Sequence, residues 1–189
     1  MSLIGNNVFI AFLLFVIFCE FDVESSGGGS RHRVQAITTE TLQQEIHALR
    51  NGYHQAILAN AIDVLQTMLG QARGLQEQYA LVQGIDPDRL QELQQFIDEL
   101  NRYITIQQTR SDIGNLSQDV IVLLQHMELQ HQTRRTRQNL RQRARVLRQT
   151  YDEINWRVTS NPVLNDNALI RQNLDVTQNS IENALRTLQ

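Results

Sequence analysis

An apolar seam in the C-terminal part of the chain constrains the fold more than any other feature of the sequence. Its six residues lie three or four positions apart, which places them on one face of an α-helix: Leu140, Ala144, Leu147, Tyr151, Ile154 and Val158. Five arginines fall on a stripe beside this seam: Arg134, Arg137, Arg141, Arg145 and Arg148. A helix with this pattern must pack against other helices, and the arginines are candidate interaction residues.

The composition favours an all-α protein. The sequence has only two prolines and nine glycines, which is too few turn residues for a sheet of many short strands. Apolar positions at helical spacing recur through residues 38–189, and we expect this segment to form a helical bundle domain. The predicted arrangement is an antiparallel bundle of about four helical segments, with a partly open coiled coil as the alternative.

Capping residues and turn signals place the predicted helix boundaries. The first helix should begin at Thr38 or Thr39, and its apolar stripe continues past Asn51-Gly52 without a change of phase. We therefore expect Asn51-Gly52 to lie in a tolerated or kinked part of one helix. Residues 84–87 supply a C-terminal glycine, an aspartate N-cap and a proline at the first helical position. A second helix should begin there and end near Gln108.

The C-terminal half is predicted to contain two more helices. Residues 111–117 (SDIGNLS) are expected to form a connection, and the next helix should follow Ser117. The first apolar face of that helix is rotated by roughly 150° from the seam, so the helix should kink or break within the polar residues 130–138. Residues 160–162 (Ser-Asn-Pro) should end it. Asn165 or Asp166 should cap the last helix.

The N-terminal 37 residues are predicted to lie outside the bundle. Residues 8–18 (VFIAFLLFVIF) are uninterrupted and apolar, but they are shorter than the roughly 20 residues that span a membrane. This pattern is typical of a signal peptide over residues 1–19, cleaved before Glu20. An uncleaved membrane anchor is the alternative. Residues 20–37, which include SSGGGS, are expected to form a flexible tail.

The sequence contains none of the motifs that carry common catalytic chemistry. It has no phosphate-binding P-loop, no glycine-rich dinucleotide turn and no Gly-x-Ser-x-Gly elbow. His126 and His131 are five positions apart, which turns them about 140° away from each other on a helix. A helical zinc pair needs a spacing of four. We therefore expect no enzyme activity, no cofactor and no metal.

The arginine stripe has three interpretations. Residues 38–128 carry 12 acidic residues against five arginines, whereas residues 134–148 carry seven arginines and no acid. The stripe could therefore be a charged flank that pairs with the acids of the first segment. It could instead bind a polyanion such as a sulfated glycan, although the lack of interleaved aromatics argues against nucleic acid. The third interpretation is proteolysis at the Arg-x-x-Arg sequence of residues 134–137.

Glutamine is the most unusual part of the composition. The sequence has 24 glutamines and no lysine. In composition, the chain resembles glutamine-rich secreted transglutaminase substrates of the seminal-coagulum and insect mating-plug type. The resemblance implies that glutamines in mobile segments act as acyl donors to a lysine-bearing partner. The candidates are Gln35, Gln130, Gln132, Gln138 and Gln189.

These features predict a secreted, non-enzymatic structural or interaction protein, which could serve as a glutamine donor in a cross-linked extracellular assembly. Its partner would be another protein, or a second copy bound through the helices. Asn115 begins an Asn-Leu-Ser sequon in the predicted connection, so it is a candidate glycosylation site. The alternatives are a membrane-anchored coiled-coil scaffold, which requires an uncleaved N-terminal segment, and an arginine-rich polyanion-binding module.

Overall fold

The computed structural model describes residues 38–129 and 133–189, and this part of the chain is helical without strands. The all-α prediction is confirmed. The helices are α1 (Thr39–Leu58), α2 (Ile62–Ala80), α3 (Pro87–Leu129), α4 (Arg134–Ser160), α5 (Pro162–Asn165) and α6 (Ala168–Thr187). The predicted signal or anchor and the glycine-rich tail lie outside the described residues. Among the helices described, none is both long enough and apolar enough to cross a bilayer.

The predicted first helix is two helices. Thr38 caps α1 as expected, because its hydroxyl accepts from the Thr41 amide at 3.2 Å. The break is at Asn60, which has a φ of 50°. After glycine, asparagine is the residue that best tolerates this left-handed conformation. Gly52 stays inside α1 and faces α2, where a Cβ atom would lie 3.3 Å from Cε of Met68.

The helix start predicted at Asp86-Pro87 is confirmed, but Gly84 does not end the preceding helix, because α2 already ends at Ala80. Gly84 has a φ of 87°, a conformation that side chains disfavour, and α3 begins at Pro87. The Asp86 side chain accepts from the Asp88 amide at 3.0 Å. The Asp86 amide in turn donates to Oγ1 of Thr39 at 3.2 Å, which ties this connection to the start of α1.

The predicted connection at residues 111–117 is wrong, because α3 passes through it without a break. Helix α3 has 43 residues and is therefore about 64 Å long. Gly114 costs roughly 1 kcal/mol in a helix interior. Burial of Ile113 and Leu116 offsets this cost, since each buried side chain contributes about 1.5–3 kcal/mol.

The apolar stripe of α3 changes sides at the residues that were predicted to form a connection. The stripe of the N-terminal half is Leu93, Phe96, Ile97, Leu100 and Ile104, and that of the C-terminal half is Ile113, Leu116, Val120 and Leu123. On an ideal helix the two stripes are centred about 160° apart. Helix α3 therefore buries nearly opposite sides in its two halves, and each side belongs to a different core.

The first core is formed by α1, α2 and the N-terminal half of α3. Helices α1 and α2 are antiparallel, since the hydroxyl of Tyr79 near the end of α2 donates to Oγ1 of Thr41 in the first turn of α1 at 3.1 Å. Phe96 is fully buried at the centre, and the Tyr53 ring meets it edge-on with 5.5 Å between centroids. This edge-to-face arrangement is the one aromatic rings favour.

The second core is formed by the C-terminal half of α3 with α4, α5 and α6. All six residues of the predicted seam are buried in it. Helices α3 and α4 are antiparallel, because Asp112 pairs with Arg157 at 2.8 Å while His126 lies 3.3 Å from Arg143. Helix α6 closes the core, where the Ser117 and Thr177 hydroxyls are 2.8 Å apart.

The predicted break before the seam is confirmed, and the last cap is corrected. Helix α3 ends at Leu129, and α4 begins at Arg134 with Thr133 as N-cap. Asn161 ends α4 as expected, but it also caps the one-turn helix α5. Asn165 and Asp166 are used to finish that turn, so the side chain of Asn167 caps α6 and accepts from the Ile170 amide at 3.2 Å.

Within the described residues, α1 and α2 make no contact with α4, α5 or α6. We therefore predict that Phe96→Ala loosens the two cores unequally. The substitution should cost about 3–5 kcal/mol, and hydrogen exchange measured by mass spectrometry should accelerate mainly in α1 and α2. The matched variant Leu174→Ala in the second core should accelerate exchange mainly in α4 and α6. Equal acceleration throughout both bundles would mean that they unfold as one unit.

Candidate functional site

Helix α4 has one side in the core and the opposite side in solvent. Because the seam occupies the buried side, residues about half a turn away point outward. We call these residues the outer face of α4, and all of them are exposed: Gln138, Gln142, Arg145, Val146, Gln149, Asp152, Glu153 and Trp156. The arginine stripe borders the seam on the side where α6 packs, and Arg145 belongs both to this stripe and to the outer face.

Arg148 serves the packing of the bundle. Its guanidinium lies 3.1 Å from Oε1 of Glu182 on α6 and 3.1 Å from Oδ1 of Asp152. It also covers the ring of Tyr151, with 5.3 Å to the centroid. The charged-flank interpretation describes Arg148 well, but its acids come from α4 and α6. They are not supplied by residues 38–128, where the sequence analysis placed them.

Arg141 holds the end of α6. Its side chain donates to the carbonyl oxygen of Leu188 at 3.1 Å and to that of Gln189 at 2.7 Å. These carbonyls follow the last turn of α6, where helical partners are missing and a positive charge is favourable. Arg141 and Arg148 are therefore both directed into the groove between α4 and α6.

The other three arginines of the predicted set are exposed: Arg134, Arg137 and Arg145. Within residues 38–129 and 133–189, neither Arg134 nor Arg145 has an acidic partner. The structure thus divides the stripe. Two of its arginines stabilise the bundle, and Arg134 and Arg145 present guanidinium groups to solvent.

The sequence analysis missed Trp156, which is 71% exposed on the outer face. It lies beside a shallow hollow lined by Gln149, Asp152, Glu153 and Arg157. Val146 lies nearly three helical turns before Trp156 and is 52% exposed. The sequence spacing already predicted that Trp156 is exposed. Trp156 follows the seam residue Ile154 by two positions, which places it on the other side of the helix. A large aromatic on the polar side of an amphipathic helix is a candidate contact residue.

The candidate glutamines have different environments. Gln138 is exposed, but it lies inside α4 and not in the expected break, since α4 already begins at Arg134. Gln189 is exposed and follows the last helix. Gln35, Gln130 and Gln132 lie outside the described residues.

Asn115 is exposed, but it lies in the middle of α3 and not in a loop. The expectation of a loop failed for the same reason as the predicted connection, namely the burial of the flanking Ile113 and Leu116. Asn115 borders the groove between α3 and α4, together with Asp112, Asp119 and Glu153. No group of three or more metal-binding side chains was found among the described residues.

Comparison with known proteins identifies no relative. No protein-family model, no curated protein and no solved structure matches this chain.

The Glu182 carboxyl has a pKa below its usual 4.5, chiefly because the Gln178 amide donates to it and also because Arg148 does. We predict that Arg148→Gln raises this pKa, because the charged partner of the carboxylate is lost. The pairing is present above the lowered pKa and disappears as pH falls through it. A carbon-detected NMR titration of the Glu182 carboxyl measures the change.

Arg145→Gln is the matched control for this titration, since Arg145 has no acidic partner among the described residues. It should leave the Glu182 pKa where it is. If Arg148→Gln also leaves it unchanged, Gln178 and Arg186 lower the pKa without a contribution from Arg148.

Proposed function

We propose that this chain is a secreted structural or interaction protein that acts by associating through its helices and not by catalysis. The observation that carries the proposal is the outer face of α4. There Trp156 and Val146 remain exposed on a helix whose other side is firmly packed. Tryptophan and arginine are enriched where protein surfaces bind each other, and a rigid helix presents them at little cost in conformational entropy.

The arrangement of the two cores supports the same proposal. Helix α3 carries one bundle on each half, so the chain offers two separate helical surfaces along about 64 Å. The charge is also segregated, since acids predominate in residues 38–128 and arginines in residues 134–148. Segregated charge favours oriented contacts between molecules.

We predict that the purified full chain associates at low salt and that salt weakens the association. Exposed charges interact over about 8 Å at physiological ionic strength but over only about 3 Å at 1 M salt. Sedimentation velocity at several protein concentrations should show a larger species at low salt than at 1 M salt. Far-UV circular dichroism should be unchanged. A monomer at every concentration and salt level would contradict self-association.

A second candidate function is the binding of a sulfated or phosphorylated polyanion. Arg134, Arg135 and Arg145 are exposed and have no acidic partner in the described part of the chain. Arginine matches such anions because its planar guanidinium donates two parallel hydrogen bonds. The overall net charge of −3 and the absence of aromatic residues among these arginines make nucleic acid the less suitable polyanion.

The glutamine-donor role is a further part of the proposal. We predict that a transglutaminase attaches a labelled amine to the full chain at Gln189 and at Gln35, Gln130 and Gln132. Gln138 should react more slowly, because it lies in a helix that must open first. Peptide mapping by mass spectrometry locates the label.

Gln149 is the internal control for this labelling, because it is exposed but lies in the middle of α4. It should stay unlabelled. The chain alone should form no covalent polymer, since it has no lysine to supply the second amine. Absence of label at every site, or equal label at Gln149 and Gln189, would exclude the glutamine-donor role.

Secretion is proposed from residues 1–19 of the sequence, as a signal peptide removed before Glu20. The alternative is a membrane-anchored coiled-coil scaffold that retains this segment. The N-terminus of the native protein distinguishes the two.

A further inference from the structure

The outer face of α4 has opposite charges on either side of Gln149. Toward the start of the helix it carries Arg145, and toward the end it carries Asp152 and Glu153, with Trp156 one turn further on. Asp152 is already paired with Arg148. Among the described residues, Glu153 accepts one hydrogen bond, from the side-chain amide of Gln149 at 3.3 Å. Arg145 and Glu153 are therefore opposite charges on one face, and neither forms an ion pair within the described part of the chain.

We infer that two copies of the chain bind each other through this face, with the two α4 helices antiparallel and Gln149 at the two-fold axis. This inference rests on the proposed function and names its partner as a second copy. In such a pairing, residues equally far before and after Gln149 face each other. Arg145 of one copy then lies opposite Glu153 of the other, and Trp156 opposite Gln142. Each contact occurs twice, as two-fold symmetry requires.

Charge selects the antiparallel arrangement. A parallel pairing would place Arg145 against Arg145 and Glu153 against Glu153, and like charges opposite each other repel. The antiparallel pairing turns the same four groups into two ion pairs. Because one face supplies both halves of the complementarity, a second copy fits it without any additional partner.

The size of the face sets the expected strength. From Gln142 to Trp156 it is about 21 Å long and one helix wide. It is therefore smaller than the roughly 800 Å² per partner that stable complexes bury. We expect a reversible dimer that dissociates on dilution, with the two tryptophans as its main apolar contribution.

A charge swap tests the pairing directly. In the full chain, Arg145→Glu and Glu153→Arg should each weaken dimerisation about tenfold or more, because each reversal affects both symmetric ion pairs. The double variant, Arg145→Glu with Glu153→Arg, should restore dimerisation, since it exchanges the two charges. Sedimentation equilibrium measures all four proteins, and circular dichroism verifies that they are folded.

Two further readouts locate the contact. Trp156 is the only tryptophan in the sequence, so its emission should shift to shorter wavelength as the protein concentration rises. Helices packed 8–10 Å apart bring facing Cα atoms to about 3.4–5.4 Å, and the upper part of this range suits a disulfide. Gln149→Cys in a Cys19→Ser background should therefore oxidise to a covalent dimer. Gln172→Cys, at an exposed position on α6, is the control and should not.

The outcomes separate this inference from the proposed function. If the wild-type chain associates in a salt-sensitive way but neither the charge swap nor the Gln149→Cys disulfide has an effect, then association uses another surface and the α4 pairing is wrong. If the chain is monomeric at every concentration, the pairing and self-association both fail. If heparin binds the chain but no dimer forms, the arginines serve a polyanion and the pairing is also overturned.

Discussion

The structure depends on one helix burying two apolar stripes on nearly opposite sides. Helix α3 is the element shared by both cores, with Phe96 and Leu100 in the first and Val120 and Leu123 in the second. Neither α1 with α2 nor α4 with α6 makes a complete bundle alone, because each pair needs the apolar side of α3 between its members. Most of the stability of a helix in a protein comes from such packing, so the 43-residue α3 depends on its contacts in both halves.

This dependence also accounts for which parts of the fold the sequence revealed. Where a stripe keeps one phase, as in the seam from Leu140 to Val158, the prediction was confirmed residue by residue. The boundary at Gly84 was equally clear, because a positive φ and a following proline are local requirements. Both signals act over a few residues, so no knowledge of the partner helices was needed.

The two errors in the helix boundaries have a common cause. At residues 111–117 the serines, the glycine and the asparagine indicated a turn, but the helix continues there and only its buried side changes. At Asn60 the chain turns, but the apolar spacing of α1 continues unchanged into α2. The spacing therefore gave no indication of the turn. In both places the deciding fact was which helix covers which face, and this is a tertiary property. The N-cap at Asn167 was misplaced because the one-turn helix α5 had no periodicity to announce it.

The candidate site could be predicted only in part. The seam fixed which side of α4 is buried, and the arginines beside it were recognised as a stripe. The division of that stripe could not be predicted, because it depends on α6 lying alongside α4. Arg148 meets Glu182 and Arg141 meets the end of α6, whereas Arg145 points away from both. Trp156 was not among the predicted contact residues, because neither the spacing of the seam nor the charge pattern involves it.

The same amphipathic pattern that builds the second core also defines the surface that we propose for association. Because the seam side of α4 packs into the core, the opposite side of the helix faces solvent. Trp156 lies on that opposite side and is therefore exposed. On α4 that outer side also changes sign along its length, from Arg145 to Glu153. A face with both charges cannot be satisfied by a uniformly charged partner, but it is complementary to its own copy turned end for end. The buried seam thus orients α4, and that orientation makes two-fold pairing of the outer face possible.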